Sequence, residues 1–185
     1  MNNNAANTTP THAAQPVPVR MAGDRLVAEL ERLGLRYLSR EPLPEPVALL
    51  APELLITGLV SSPEARLRSA LVPLFLWRPD YAAAAQDAAG QLAPQAYVML
   101  LCCYTAAVAL QSRYARALAS LGRPPVLLPD LFAAALGLPP TVDPAARMAA
   151  VAARHAQLSG EAINWLGTYE HAAETFMRFA EPMQA

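Results

Sequence analysis

The sequence contains no lysine, only two cysteines and few charged side chains. Of its 185 residues 16% are charged, the 14 basic residues are all arginine, and the net charge is −1. This balance argues against a general nucleic-acid binder, because such a protein needs clustered cations to displace the counterions condensed on phosphate. We therefore expect no nucleic-acid partner.

The two cysteines, Cys102 and Cys103, are adjacent. Two thiols cannot form a multi-disulfide framework or a four-thiolate zinc site. On a helix their side chains point about 100° apart, so they cannot bind one metal ion together or form the spaced redox pair of thioredoxin-like proteins. We expect them to be two small buried hydrophobic residues.

Three common catalytic patterns are also missing. The eight glycines are dispersed, so no glycine-rich loop is available to cradle phosphate, and no serine lies in a Gly-x-Ser-x-Gly frame. Arg147 and His155 are too far apart in the sequence to match the Arg and His spacing of ribonucleases in the HEPN superfamily. We expect a non-catalytic protein without a metal ion or cofactor.

Alanine and proline are abundant, with 39 and 18 residues. Apolar residues recur at helical spacing between prolines, and residues 126–128 are the only short candidate for a strand. The sequence predicts an all-α, single-domain bundle of about seven or eight helices over residues 21–182. Predicted helices cover residues 24–39, 52–60, 63–78 with a kink at Pro73, 79–90, 94–121, 129–136, 144–159 and 161–180, and an extended connector covers 41–46. Asp24 and Ser62 are the predicted N-caps of the first and third helices, and Glu29 is predicted to lie on the solvent side of the first helix.

Residues 1–20 differ from the rest of the chain. The first 19 carry no charged side chain and few large apolar ones, so they cannot offset the entropy lost on ordering, and we expect a disordered tail in which His12 is solvated. The segment also lacks the basic and apolar regions of a secretory signal. We expect a cytoplasmic protein.

The predicted helix at 94–121 contains fifteen consecutive uncharged residues, 96–110. A bilayer span needs about 20 apolar residues, and this stretch includes tyrosine, threonine and cysteine. The composition favours a buried central helix. Membrane association through residues 92–110 is the alternative.

The last predicted helix carries most of the candidate site. Its aromatic residues and one neighbouring cation are Trp165, Tyr169, Phe176, Phe179 and Arg178. Aromatic side chains dominate the energetics of protein interfaces, so this helix is a candidate partner-binding surface. The alternative is that the four aromatic residues fill the core of the monomer.

The histidines supply a second functional hypothesis. His155 lies on an apolar helix face, whereas His171 follows Glu170 and precedes Glu174 by one turn. A metal-dependent or acid–base enzyme would use His155, His171 and Glu174 together. A simpler interpretation is a salt-bridged stripe of Glu170, Glu174 and Arg178, with His155 hydrogen-bonded in the core.

Residues 54–71 resemble a single HEAT-type unit. A short helix ends at the turn of residues 61–63, and Glu64 then begins a second helix with an aliphatic–arginine pair. The resemblance extends over residues 54–78, and no second copy follows. Because a solenoid needs at least about three repeats, the resemblance implies only a local helical hairpin.

Residues 61–79 and 163–169 resemble segments of short bacterial helical proteins that are accessory partners of nucleotidyltransferases. The resemblance implies a non-catalytic, antitoxin-like partner protein. With the aromatic last helix, it leads us to expect a function in protein–protein interaction, with a protein partner or a second copy of the chain.

Overall fold

A computed structural model of the chain describes residues 22–38, 49–122 and 126–180. Within these ranges the regular structure is entirely helical and includes no strand, which confirms the predicted all-α fold. A single cluster of buried apolar side chains runs from the first helix to the last. The predicted tail at 1–20, with His12, and the predicted connector at 41–46 lie outside the described residues.

Eight α-helices and one short 3₁₀ helix follow one another along the described chain. Their bounds are α1 Gly23–Arg32, α2 Pro52–Val60, α3 Ala65–Ser69, α4 Leu71–Trp77, the 3₁₀ helix Pro79–Tyr81, α5 Ala82–Ala89, α6 Pro94–Ser120, α7 Pro144–Ser159 and α8 Trp165–Phe179. Proline occupies the first position of α2, α6 and α7, where its missing N–H costs no hydrogen bond. The predicted bounds of α2 and α7 are confirmed.

The long helix α6 forms the centre of the fold and packs against α4, α7 and α8. Its buried Tyr104 ring meets Phe75 of α4 and Phe132 edge-on, at centroid distances of 4.9 and 5.1 Å. Among the described residues, α6 alone is long and apolar enough to cross a bilayer, and 61% of its most apolar stretch is buried in the protein. Core helices of soluble proteins can be equally long and apolar, so membrane association stays a prediction.

The first helix is shorter than predicted. α1 ends at Arg32 because Gly34 adopts φ = 95°, and the Leu35 N–H then donates to the Leu30 carbonyl at 2.8 Å. Residues beyond this left-handed glycine turn away from the helix axis. Asp24 was predicted as the cap, but it lies inside the first turn and Ala22 is the N-cap.

Glu29 was predicted to face solvent, and that prediction is wrong. Its side chain is buried, with the residue 1% exposed. The carboxylate accepts a hydrogen bond from the Leu50 N–H at 3.3 Å and lies 4.0 Å from the Arg32 guanidinium. A carboxylate can be buried when it is paired in this way, and here it connects α1 to the segment before α2.

The second half of the predicted HEAT-like hairpin is divided into two helices. The predicted kink is confirmed as a break at Ala70, three residues before Pro73, because a proline ring clashes with the carbonyl four residues earlier. Ser62 was predicted to cap this helix, but Glu64 is the N-cap. The Ser62 hydroxyl instead accepts from the Glu64 N–H at 3.2 Å within the preceding turn.

The helix predicted at 129–136 does not form. Residues 126–131 have no regular secondary structure, and residues 132–137 form turns that end at Gly137, with φ = 66°. The Gln111 side chain donates to the Val126 carbonyl at 2.6 Å and accepts from the Leu128 N–H at 2.8 Å. At the start of the predicted helix, the Pro129 carbonyl accepts from the Tyr104 hydroxyl of α6 at 3.0 Å. Side chains of α6 thus satisfy backbone groups of residues 126–129.

Candidate functional site

The last helix begins later than predicted and lies deep in the fold. α8 starts at Trp165 rather than at Glu161, because the Asn164 side chain caps it by accepting from the Gly167 N–H at 3.0 Å. The helix packs against α4, α6 and α7. Three of its aromatic residues, Trp165, Tyr169 and Phe176, are buried.

Two of these aromatic residues enclose a histidine from α7, and we call His155, Trp165 and Tyr169 the His155 cluster. The imidazole stacks on the Trp165 indole with centroids 3.6 Å apart and planes 20° apart. Its Nδ1 shares a 2.5 Å hydrogen bond with the Tyr169 hydroxyl, and His155 is 1% exposed. This arrangement confirms the interpretation of His155 as a hydrogen-bonded core residue.

Burial keeps the titratable groups of this region uncharged. It lowers the pKa of His155 from 6.5 to about 4 and raises the pKa of Tyr169 above its usual value. On α6, burial raises the pKa of Cys102 to about 12 and raises the pKa of Cys103 as well. Both thiols are buried, so they are protonated at neutral pH, and their burial confirms their interpretation as small hydrophobic residues.

The Trp165 ring carries one polar group without a partner. Its Nε1 is buried and forms no hydrogen bond with any described residue. A buried donor left in this state costs about 1–3 kcal/mol relative to a solvated one. The His155 cluster therefore combines tight stacking with an unfavourable buried N–H.

The carboxyl end of α8 divides between core and surface. The Phe176 ring packs against Trp77 of α4 and against Tyr37, at centroid distances of 5.5 and 6.3 Å. Phe179, three residues later, is 57% exposed, and Arg178 is also exposed. Of the five predicted partner-binding residues, the structure places three in the core and leaves these two on the surface.

The polar stripe of α8 pairs with α6. The Arg113 guanidinium lies 2.7 Å from the Glu170 carboxylate and 4.0 Å from that of Glu174. His171 is exposed, and its Nε2 lies 3.5 Å from the Thr175 hydroxyl. The interpretation of this stripe as salt-bridged is confirmed for Glu170 and Glu174, although their partner is Arg113 rather than Arg178.

The structure does not assemble the predicted enzyme site. His155 faces the buried side of α8, which Tyr169 occupies, whereas His171 lies two residues further on, about 200° around the helix, and is exposed. Across the described ranges, no group of three or more His, Cys, Asp or Glu side chains is placed to hold a metal ion. His155, His171 and Glu174 therefore do not meet at one site.

A surface that sequence analysis missed lies where α7 turns into α8. We call residues 158–165 the α7–α8 corner. Leu158 is 41% exposed and Ile163 is 45% exposed, on either side of Gly160 with φ = 69°. The signals for this turn were the glycine after α7 and the capping Asn164, which together place Ile163 outside both helices.

Hydrogen bonds define the conformation of the α7–α8 corner. The Gly160 N–H donates to the Ala156 carbonyl at 3.0 Å, and the Glu161 N–H donates to the Ser159 hydroxyl at 3.2 Å. The Trp165 N–H donates to the Ile163 carbonyl at 2.9 Å. The exposed side chains are thus held on a closed turn with defined backbone geometry.

Comparison of the chain with protein-family models, with curated proteins and with solved structures gives no match. The candidate surfaces are therefore defined by the exposure of their own residues, at the α7–α8 corner and at the carboxyl end of α8.

Proposed function

We propose that this protein is a non-catalytic helical protein that acts by binding another protein. The observation that carries the proposal is the pair of exposed aliphatic side chains, Leu158 and Ile163, on the hydrogen-bonded α7–α8 corner. Burying large apolar side chains at an interface is the main source of binding free energy. Because the corner is already ordered, a partner would lose little affinity to ordering it.

The carboxyl end of α8 is a second contact region. Phe179 exposes more than half of its surface, and Arg178, which precedes it in the chain, is also exposed. Aromatic residues and arginine are both enriched at protein interfaces. The buried aromatic residues of α8 serve the proposal only indirectly, by holding the helix rigid between its two exposed ends.

The buried histidine also favours binding over catalysis. His155 is enclosed by Trp165 and Tyr169, and its low pKa keeps it neutral near pH 7. A general acid or base must reach its substrate within hydrogen-bond distance. A stacked and enclosed imidazole is poorly suited to that task, whereas it suits a structural role between α7 and α8.

The resemblance of residues 61–79 and 163–169 to accessory proteins suggests which partner to test first. A nucleotidyltransferase would be the partner of an antitoxin-like protein, and a second copy of this chain is the other candidate. Ile163 belongs both to the resemblance and to the α7–α8 corner. Ile163 therefore lies both in the proposed interface and in the segment on which the proposed partner class rests.

The test compares the full-length protein with variants in which exposed apolar side chains are replaced. Leu158→Ser combined with Ile163→Ser changes the α7–α8 corner, and Phe179→Ser changes the carboxyl end of α8. Val142→Ser is the matched control, because Val142 is fully exposed and lies at the opposite end of α7. Light scattering after size exclusion measures self-association, and affinity capture with quantitative mass spectrometry measures other partners.

We expect the double corner variant to lose the captured partner or the dimer by about tenfold or more, as for loss of a hot spot. The Val142→Ser control should retain both. A wild-type chain that stays monomeric, and whose captured proteins are the same with and without Leu158 and Ile163, would contradict the proposal.

A further inference from the structure

The α7–α8 corner leads directly into the His155 cluster, which joins the first turns of α8 to α7. Residues 160–164 of the corner are all exposed, and Trp165 is the first buried residue after the turn. Trp165 stacks on His155, and Tyr169, one turn later, bonds to the same imidazole. One histidine side chain thus contacts both buried anchors of the first turns of α8.

The remainder of α8 has anchors of its own. Phe176 packs against Trp77 and Tyr37. The Arg113–Glu170 ion pair lies nearer the first turns, but it is solvent-exposed and therefore adds little to their attachment. None of these contacts involves His155. The amino-terminal part of α8 can therefore separate from α7 while the carboxyl-terminal part stays packed.

The His155 cluster holds two groups that water would stabilise. The imidazole is kept neutral by burial, and the Trp165 N–H has no partner. Opening the corner would hydrate both groups, and would also let the imidazole take up a proton. Proteins open locally at free energies below that of global unfolding, and solvent-exposed turns are among the segments that open most readily.

The neighbours of His155 do not favour its charged form. From α8 it faces the neutral Trp165 and Tyr169, and from its own helix Arg154 precedes it and bonds to the Leu136 carbonyl and the Gln157 side chain. The α6 thiols, Cys102 and Cys103, act on Tyr169 and are protonated. A cationic imidazole would gain some energy from stacking on the indole, but desolvation dominates and lowers the pKa of His155.

We propose that the α7–α8 corner is an acid-sensitive element, in which protonation of His155 releases the corner and the first turns of α8 from α7. Release exposes Trp165 and Tyr169 beside the apolar Leu158 and Ile163. The aromatic face that the closed fold buries would then extend the exposed apolar surface. This inference does not depend on the proposed binding function, since it concerns the isolated chain.

The sign of the effect follows from proton binding. In the open form His155 has its ordinary pKa near 6.5, and in the closed form its pKa is about 4. Between these pH values the open form binds more protons, so lowering the pH favours opening. Going from pH 7.5 to pH 5.0, the opening equilibrium should increase by about 30-fold through this one group.

Hydrogen exchange of the full-length protein, followed by mass spectrometry and corrected for the pH dependence of intrinsic exchange, tests the proposal. We expect peptides covering residues 165–172 to lose about 30-fold in protection between pH 7.5 and pH 5.0. Peptides covering residues 97–110 of α6 should keep their protection. Equal loss in both regions would mean that the whole fold unfolds together, and would overturn the proposal.

Two variants and one control identify the titrating group. His155→Gln removes the ionisable ring, so its protection at residues 165–172 should no longer respond to pH. His171→Gln, on the exposed side of α8, should respond like the wild type. Tyr169→Phe keeps the imidazole but removes its hydrogen bond, so opening should begin at a higher pH.

The same acid response in His155→Gln as in the wild type would overturn the proposal. If His155→Gln does not fold, Tyr169→Phe decides the matter, because an unchanged onset of opening in that variant would also overturn it. Loss of partner binding plays no part in these measurements, so a failure here is distinct from a failure of the proposed function.

Discussion

A single polar side chain, Gln111, holds the segment of residues 126–128 against α6 through two hydrogen bonds. It lies on α6, is buried, and bonds to both the Val126 carbonyl and the Leu128 N–H. Its amide thus imitates a strand partner for residues 126–128, the segment that the sequence marked as the only strand candidate. The Tyr104 hydroxyl adds a third bond, to the Pro129 carbonyl at 3.0 Å.

Replacing Gln111 by alanine should destabilise the protein by about 2–3 kcal/mol, because the buried Leu128 N–H loses its acceptor and the Val126 carbonyl loses its donor. The measurement is urea unfolding followed by circular dichroism. Ser112→Ala is the control, since Ser112 is exposed and makes only a long 3.5 Å contact with the Ala109 carbonyl. Equal stability of the two variants would show that the Gln111 bonds contribute nothing.

At the scale of a helix, the contacts of α8, rather than its composition, decide whether its aromatic face is internal or exposed. Its aromatic residues recur at helical spacing, which predicts a common face, and both Trp165 and Phe176 lie on the buried side. The same sequence would suit a helix that docks on a partner. The neighbours supplied by α4, α6 and α7 decide that this face is internal.

Phe176 and Phe179 form a matched pair for testing this division of α8. Phe176→Ala should destabilise the protein by about 3–5 kcal/mol, because it leaves a cavity beside Trp77 and Tyr37. Phe179→Ala should change stability by no more than about 0.5 kcal/mol, because that ring is mostly exposed. Thermal or urea unfolding measures both, and similar losses in the two variants would contradict the packing described for α8.

At the scale of the whole molecule, the core is built around α6, which carries both cysteines on its buried surface. Cys102 and Cys103 are buried and have no disulfide partner. Burial raises the pKa of Cys102 to about 12, so the reactive thiolate is rare at pH 8. Their reactivity therefore reports on opening of the fold as a whole.

Both thiols should react with an aromatic disulfide reagent at least about a thousandfold more slowly in native buffer than in denaturant, because burial suppresses the thiolate and blocks access to it. The absorbance of the released thiol measures the rate. Cys102→Ala and Cys103→Ala variants assign the signal to each position. Rapid reaction of either thiol in native buffer at pH 8 would contradict the buried position of α6.

The sequence by itself determined the helices whose ends carry local signals. Pro52 opens α2, and Asp143 before Pro144 opens α7, where the aspartate side chain accepts from two N–H groups of the first turn. Gly160 ends α7 with a left-handed backbone. Such signals act within a single turn of the chain, so no distant contact is needed to recognise them.

Only the tertiary structure decided which residues face the core. Glu29 is buried because Leu50 arrives from the segment before α2, and residues 129–136 stay non-helical in contact with α6 and α7. Trp165 and Tyr169 are internal because His155 meets them from α7, whereas Ile163 is left at the surface. Burial depends on which elements come together in space, and that information is not contained in the local pattern of any one helix.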